Sequence, residues 1–352
     1  YRGMNDFLKH INEMEGRPFS EKRVNKFTNT WYANNGMFRY EFPIGEGDTG
    51  VGYIRDMFRE LCQKRSVPDI EFFVNRRDFP LLKRDRTEPY ELMFGNKCLP
   101  LLSHNYEKYS PILSSVFGEG YADIALPTID DWSRVRSREG AFFPKMCRDF
   151  SDEFNIPWSE KRGTAVFRGA STGMGVDMNT NMRLKAAAMS DGDLLDAGIT
   201  SWNLRPRRVE GSPYIQTIEK DELPFGLVPK LSYLEQSKYK YILNIDGHVS
   251  AFRLSLELAM GSVVLLTESR WSLWFKQLLQ PYIHYIPVKE DLSDLYETIV
   301  WCRENDERCE QIAKNAREFY KKYLCKNGIL DYLEKLLWDL KDVMGDYKTV
   351  KS

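Results

Sequence analysis

The sequence predicts an α/β protein whose second half is a parallel sheet with helices on both faces. Three observations carry that expectation. Residues 164–167 (TAVF), 241–246 (YILNID), 262–268 (SVVLLTE) and 283–288 (IHYIPV) are short apolar runs with β-branched or aromatic content. Stretches of helical pattern, 250–260, 271–279 and 291–305, alternate with the later runs. A polar, proline-broken segment, RDFSDEFNIPWSEKRG (148–163), reads as the linker in front of this half.

The first half is less regular and rich in Arg, Asn, Pro and aromatic residues. Strands are expected at MFRYEF (37–42) and IEFFVN (70–75), with an amphipathic helix inside YIRDMFRELCQKR (53–65). A last helical stretch, ILDYLEKLLWDLKDVM (329–344), carries apolar residues at helical spacing and is expected to pack back across a domain.

Composition narrows the function classes. The chain has 352 residues, 42% hydrophobic and 29% charged, as in globular proteins rather than disordered ones. A formal net charge of −1 gives no global electrostatic case for nucleic acid or an anionic membrane surface. Six cysteines occur without a CxxC pair, beside four histidines, so no zinc site is expected and the thiols read as reduced and core-buried. No apolar run approaches the ~20 residues that span a bilayer. The first residue is Tyr, which leaves an upstream leader or anchor open, and the compartment with it.

The segment VFRGASTGMGVD (166–177) has the glycine spacing of a short-chain dehydrogenase fingerprint. Its partner motif is missing. The one Y-x-x-x-K, Tyr285 to Lys289, contains Pro287 and lies in a strand pattern, which would separate the two side chains by about 13 Å. What remains is a strand followed by Arg168, Gly169, Ala170 and Ser171. Glycines admit a phosphate close to the backbone, and arginine adds a permanent forked cation. The alternative is a surface loop with a solvated arginine.

A second strand–loop–helix, SKYKYILNIDGHVSAFRLSLELAMGS (237–262), places Asp246 and Gly247 in the loop, Ser250 as a helix N-cap and Arg253 in the first turn. An unpaired cation suits the positive end of a helix poorly, and a bound phosphate would resolve that conflict. Two arginine-bearing loops at one sheet edge suit a diphosphate. A third candidate is Asp78, at the exit of the 70–75 strand and stiffened by Pro80, which could act as a general base. It could equally be an aspartate paired with Arg76 or Arg77. Asp191-Gly192-Asp193 reads as a polar turn, not a metal-binding D-x-D.

Assembled in order, RDFP (77–80), TAVFRGAST (164–172), LLDAGIT (194–200), SKYKYILNIDG (237–247), SAFR (250–253) and the run 260–295 resemble the protein O-glucosyltransferase family known from Rumi. Capsule-associated xylosyltransferase-like proteins of fungi belong to the same group. The resemblance implies a GT-B fold of two Rossmann-like domains facing across a cleft. Residues 1–155 would form the acceptor-side domain with the base, 156–328 the nucleotide-sugar domain, and 329–352 a returning helix and tail. It implies inverting, metal-independent transfer of a sugar, glucose or xylose, from a UDP-sugar to a hydroxyl of a protein or glycan. Asp78 matches the family's catalytic base, and Arg168 and Arg253 match its diphosphate ligands. Gly169, Ala170, Ser171, Asp246, Gly247 and Ser250 would complete the donor site, and Arg77, Phe79 and Trp132 the substrate cleft. The alternatives are a non-catalytic nucleotide-sugar-binding module of a larger protein and the dehydrogenase.

Overall fold

The computed structural model describes residues 49–70, 72–75, 78–80, 84, 112–136, 154–204, 207–208, 215–216 and 218–344. The expected strand at 37–42 lies outside them. The described residues fall into two units, one made of Pro127–Arg207 with Thr217–Leu333 and the other of the remainder.

The first unit opens with helix α1 (Thr49–Lys64), which buries Tyr53, Met57 and Leu61 along a single i, i+4, i+8 stripe. Strands β1 (Phe73–Asn75), β2 (Ile112–Ser114) and β3 (Ile124–Ala125) form a parallel sheet in that order.

The second unit begins with α2 (Ile129–Val135). A capping box between Thr128 and Asp131 starts this helix. Its sheet contains β4 (Arg162–Ala170), β5 (Leu195–Ser201), β6 (Tyr239–Asn244), β7 (Val263–Thr267) and β8 (Ile286–Val288) in the spatial order β5-β4-β6-β7-β8. Every pairing is parallel. Helices α3 (Met182–Ala188), α4 (Leu254–Glu257), α5 (Leu295–Glu304) and α6 (Asp306–Tyr323) pack in the same unit, beside a single helical turn at Tyr233–Gln236.

On one sheet face Ala165, Phe167, Tyr241, Leu243, Val263 and Leu265 pack with Leu184 of α3, Leu295 and Ile299 of α5 and Ile312 of α6. The alternate residues Val166, Ile242 and Val264 are buried too. Burial on both faces is why these strands read as continuous apolar runs. All four expected strands of this half are present. Tyr285 leads directly into β8, so the Tyr285–Lys289 pattern runs along a strand and not a helix face. Among the described residues no helix is long and apolar enough to cross a membrane.

Two expected helices are corrected. Residues 271–279 form a short strand, Trp271–Ser272, and a 3-10 turn, Lys276–Leu278. Trp271, Leu273, Trp274 and Phe275 are all buried, so packing from every side overrides a one-sided stripe. Within 250–260 the regular helix is only α4, whose N-cap position is Arg253 rather than Ser250 and carries no side-chain capping hydrogen bond. The Asp246 carboxylate accepts the Ala251 N–H at 2.9 Å and holds the chain in the loop through that residue.

The final helix, α7 (Lys326–Met344), belongs to the second unit up to Leu333 and to the first from Glu334 on. Within the first unit Trp338 Nε1 donates to the Ser66 carbonyl at 2.9 Å, and the Ser66 N–H donates to Glu334 at 3.2 Å.

Three strand starts of the second sheet share one cation. Lys161 Nζ donates to Ser237 O (2.5 Å), Met260 O (3.1 Å) and Ser262 Oγ (3.0 Å), just ahead of β6 and β7. Burial first, and the neighbouring Arg317 second, pull its pKa down to about 7. An unfolded chain keeps that proton to the ordinary lysine value, so above pH 7 the unfolded state binds more protons and stability rises with pH. Urea denaturation at pH 7, 8 and 9 is expected to show a rising slope in the wild type, at most about 1.4 kcal/mol per pH unit, which Lys161→Met lacks.

Candidate functional site

The order of the five strands fixes where a ligand fits. From β4 the chain moves to β5 on one side, then places β6 on the other side of β4. This is a topological switch point, where open parallel sheets bind ligands beyond the carboxyl ends of their strands. The loops leaving it are 171–181, after β4, and 245–253, after β6. Both carry residues singled out from sequence.

A buried arginine joins the two loops. Arg183, in the first turn of α3, is 8% exposed. Its Nη1 donates to Ala170 O (3.2 Å) and Thr172 Oγ1 (2.5 Å) of the first loop. Its Nε and Nη2 reach Ile245 O (3.2 and 2.9 Å) of the second, and Nε also reaches Asp246 O (3.0 Å). Burial first, then repulsion from Arg253, lowers its pKa to about 9, against the pull of Asp246 and Glu257. Sequence reading missed Arg183, because an arginine opening the helix RLKAAA looks solvated.

Glycines make room for this joint. A Cβ on Gly247 would lie 2.8 Å from Thr172 Oγ1 and 3.2 Å from Arg183 Nη2. A Cβ on Gly175 would lie 2.0 Å from the Thr180 backbone. Asn181 caps α3 and ties its start to the Ser171 carbonyl at 3.2 Å. A Cβ on Gly173 would lie 2.6 Å from the Asn181 side chain, so the second and third glycines of the fingerprint-like motif serve close packing ahead of α3.

Arg253 and Arg168 meet, but through a carbonyl. Nη1 of Arg253 donates to Arg168 O at 2.6 Å, and its Nε lies 2.9 Å from Oε1 of buried Glu257. The guanidinium also lies over the Phe167 ring, 5.0 Å from its centroid. Asn244 holds the other Glu257 oxygen at 2.6 Å, and burial raises the pKa of that carboxyl. Among the described residues Arg253 donates a hydrogen bond through Nη1 and none through Nη2, and its buried Nε meets Glu257 as an ion pair without a hydrogen bond. The Arg168 guanidinium turns back along the sheet instead. It binds Asp196 on β5, Nη2 to Oδ1 at 2.7 Å and Nη1 to the carbonyl at 2.8 Å. Tyr239 OH donates to the second Asp196 oxygen at 2.8 Å.

The remaining residues singled out from sequence, and their neighbours, are placed as follows. Asp246 accepts from Ala251 N and from the Ser269 hydroxyl. The Ser250 hydroxyl is buried without a hydrogen-bond partner among the described residues. Ser171 is buried and accepts the Asn203 N–H at 2.7 Å. Lys276 donates to Trp271 O at 3.1 Å, and burial lowers its pKa against the attraction of Asp246. Trp132 is 1% exposed, with Lys326 Nζ 5.9 Å from its ring centroid. Asp191 accepts the N–H groups of Asp193 and Leu195 around Gly192 at φ 77°, a turn as expected.

In the first unit Asp78 is exposed in the bend after β1, and Phe79 is half-buried. Arg77 lies outside the described residues. Behind this bend the Asn75 amide donates to Phe79 O at 2.6 Å and to Ser114 Oγ at 3.0 Å.

Residues 51–345 match the model of glycosyl transferase family 90. The chain belongs to that family. The uncharacterized protein 179R of Invertebrate iridescent virus 6 is 47% identical over 97% of this chain and 33% of its own length. Protein O-glucosyltransferase 2 of Danio rerio is 30% identical over 78% of this chain and 48% of its own. Protein O-glucosyltransferase 3 of Homo sapiens is 28% identical over 86% and 52%. The chain thus spans about a third of the viral relative and about half of the two animal ones.

Arg183→Met would leave the carbonyls of Ala170, Ile245 and Asp246 without this donor. We expect a loss of about 1–3 kcal/mol in urea denaturation, the range for buried polar groups left unpaired. A loss under about 0.5 kcal/mol would mean that solvent replaces the guanidinium.

Proposed function

We propose that this chain is the catalytic part of an inverting, metal-independent glycosyltransferase with a GT-B arrangement. It moves a sugar, glucose or xylose, from a UDP-sugar to a hydroxyl of a protein or glycan. The observation that carries the reading is the switch point, where Nη2 of Arg253 and the Ser250 hydroxyl are donors without partners among the described residues, beside the two joined loops. A diphosphate supplies what these groups lack, namely anionic oxygens able to accept charge-assisted hydrogen bonds. Family membership and relatives named protein O-glucosyltransferase support sugar transfer with glucose first among donors.

Asp78 accepts the proton of the acceptor hydroxyl as its oxygen bonds to the anomeric carbon. The bond from that carbon to the β-phosphate oxygen breaks, and its electron pair leaves on UDP. Attack from the face opposite the leaving group inverts the centre. Arg253 and the backbone of the 169–171 and 246–251 loops stabilise the charge gathering on the diphosphate, at about 3–4 kcal/mol of barrier for each well-aimed donor. Arg168 reaches the diphosphate by exchanging Asp196 for it. Without that exchange it acts through its carbonyl, which holds Arg253.

Asp78→Asn is expected to cut transfer by about 10²–10⁴-fold, the worth of a general base, with UDP affinity unchanged by calorimetric titration. Near-normal turnover would remove Asp78 from that role. Arg253→Ala is expected to weaken UDP by about 10–100-fold, the equivalent of one charged hydrogen bond. An unchanged affinity in that titration would move the diphosphate elsewhere.

A further inference from the structure

The bend that carries Asp78 is anchored by a buried polar chain running across all three strands of the first sheet. Asn75 is the last residue of β1, Ser114 the last of β2, and Asp123 immediately precedes β3. Each is under 9% exposed. Ser114 Oγ donates to Asp123 Oδ1 at 2.5 Å and accepts from Asn75 Nδ2 at 3.0 Å. The second hydrogen of the same Asn75 amide goes to Phe79 O at 2.6 Å, one residue past Asp78. Donors and acceptors fit in one sense only: the carboxylate orients the hydroxyl, the hydroxyl orients the amide, and the amide holds the bend.

From this chain we infer that Asn75, Ser114 and Asp123 are positioning residues, which set where the Asp78 carboxylate stands. The inference rests on the reading of Asp78 as the base. Stability alone does not account for the chain. A buried carboxylate, hydroxyl and amide cost more to desolvate than apolar side chains of the same volume, unless every bond is made. The chain runs from Asp123, ahead of β3, to Asn75 and Ser114 at the carboxyl ends of β1 and β2, and it finishes on the carbonyl beside Asp78. An exposed aspartate on an unanchored bend would sample many positions, and a base displaced by about 1 Å can lose about 10²-fold in rate.

The test uses the full chain and UDP release from UDP-glucose, and separately from UDP-xylose, with water as acceptor. Ser114→Ala is expected to lower kcat by about 10²-fold. Donor KM and calorimetric UDP affinity should stay near the wild-type values, while the melting temperature falls by only the few degrees that a buried polar group left unpaired costs. Ser114→Thr, which keeps the hydroxyl, should restore most of the rate, and Asp123→Asn should resemble Ser114→Ala. Normal kcat in Ser114→Ala beside an inactive Asp78→Asn overturns the inference and leaves the base in place. A fall in kcat that tracks a fall in melting temperature or in UDP binding, without rescue by threonine, also overturns it, since that is a purely structural role. Full activity in Asp78→Asn, or no release by the wild type from either donor, removes the reading beneath it and the inference too.

Discussion

The second unit depends on a guanidinium buried where two loops leave one sheet. Arg183 is enclosed, carries its charge, and spends its donors on carbonyls and a hydroxyl drawn from both loops. An arginine in that position cannot tolerate independent loops, because any carbonyl that moves away leaves a buried N–H unpaired. The loops after β4 and β6 are thus held as one surface at the switch point. Gly247 and Gly175 have no side chains because the joint and the start of α3 occupy that space.

Charge follows from the same constraint. Arg253 sits near enough to Arg183 to lower its pKa, and Glu257 and Asp246 offset the two cations within the site. Asn244 and Arg253 keep Glu257 in place, and the carbonyl of Arg168 keeps Arg253 in place. The Arg253 guanidinium is thereby held in place by bonds that need no ligand, which leaves it little reorganisation on meeting an anion. Asp196 has an analogous hold on Arg168, shared with Tyr239, and keeps that guanidinium against the sheet.

Much of this was legible in the sequence, and the gaps have physical reasons. Four strands of the second sheet announce themselves because burial on both faces leaves uninterrupted apolar runs. The fifth, Leu195–Ser201, does not, since Asp196 and Gly198 interrupt it. Gly198 is there because Val228 Cγ2 would stand 2.3 Å from a Cβ, a packing demand invisible along the chain. The loops at 169–171 and 246–253 were recognisable from glycine and arginine after strands. Arg183 was not, because nothing in its neighbours shows that its helix begins beneath two loops. Asn75, Ser114 and Asp123 lie too far apart in sequence for spacing to join them, and only the parallel register of β1, β2 and β3 does so.

The central claim is that the switch point of the second sheet receives the diphosphate of a UDP-sugar. A crystal structure of the chain soaked with UDP tests it directly. The account predicts phosphate oxygens about 3 Å from Arg253 Nη2, a normal charge-assisted hydrogen bond, between the loops 171–181 and 245–253. UDP bound away from both loops, with Nη2 of Arg253 still unpartnered, would contradict it.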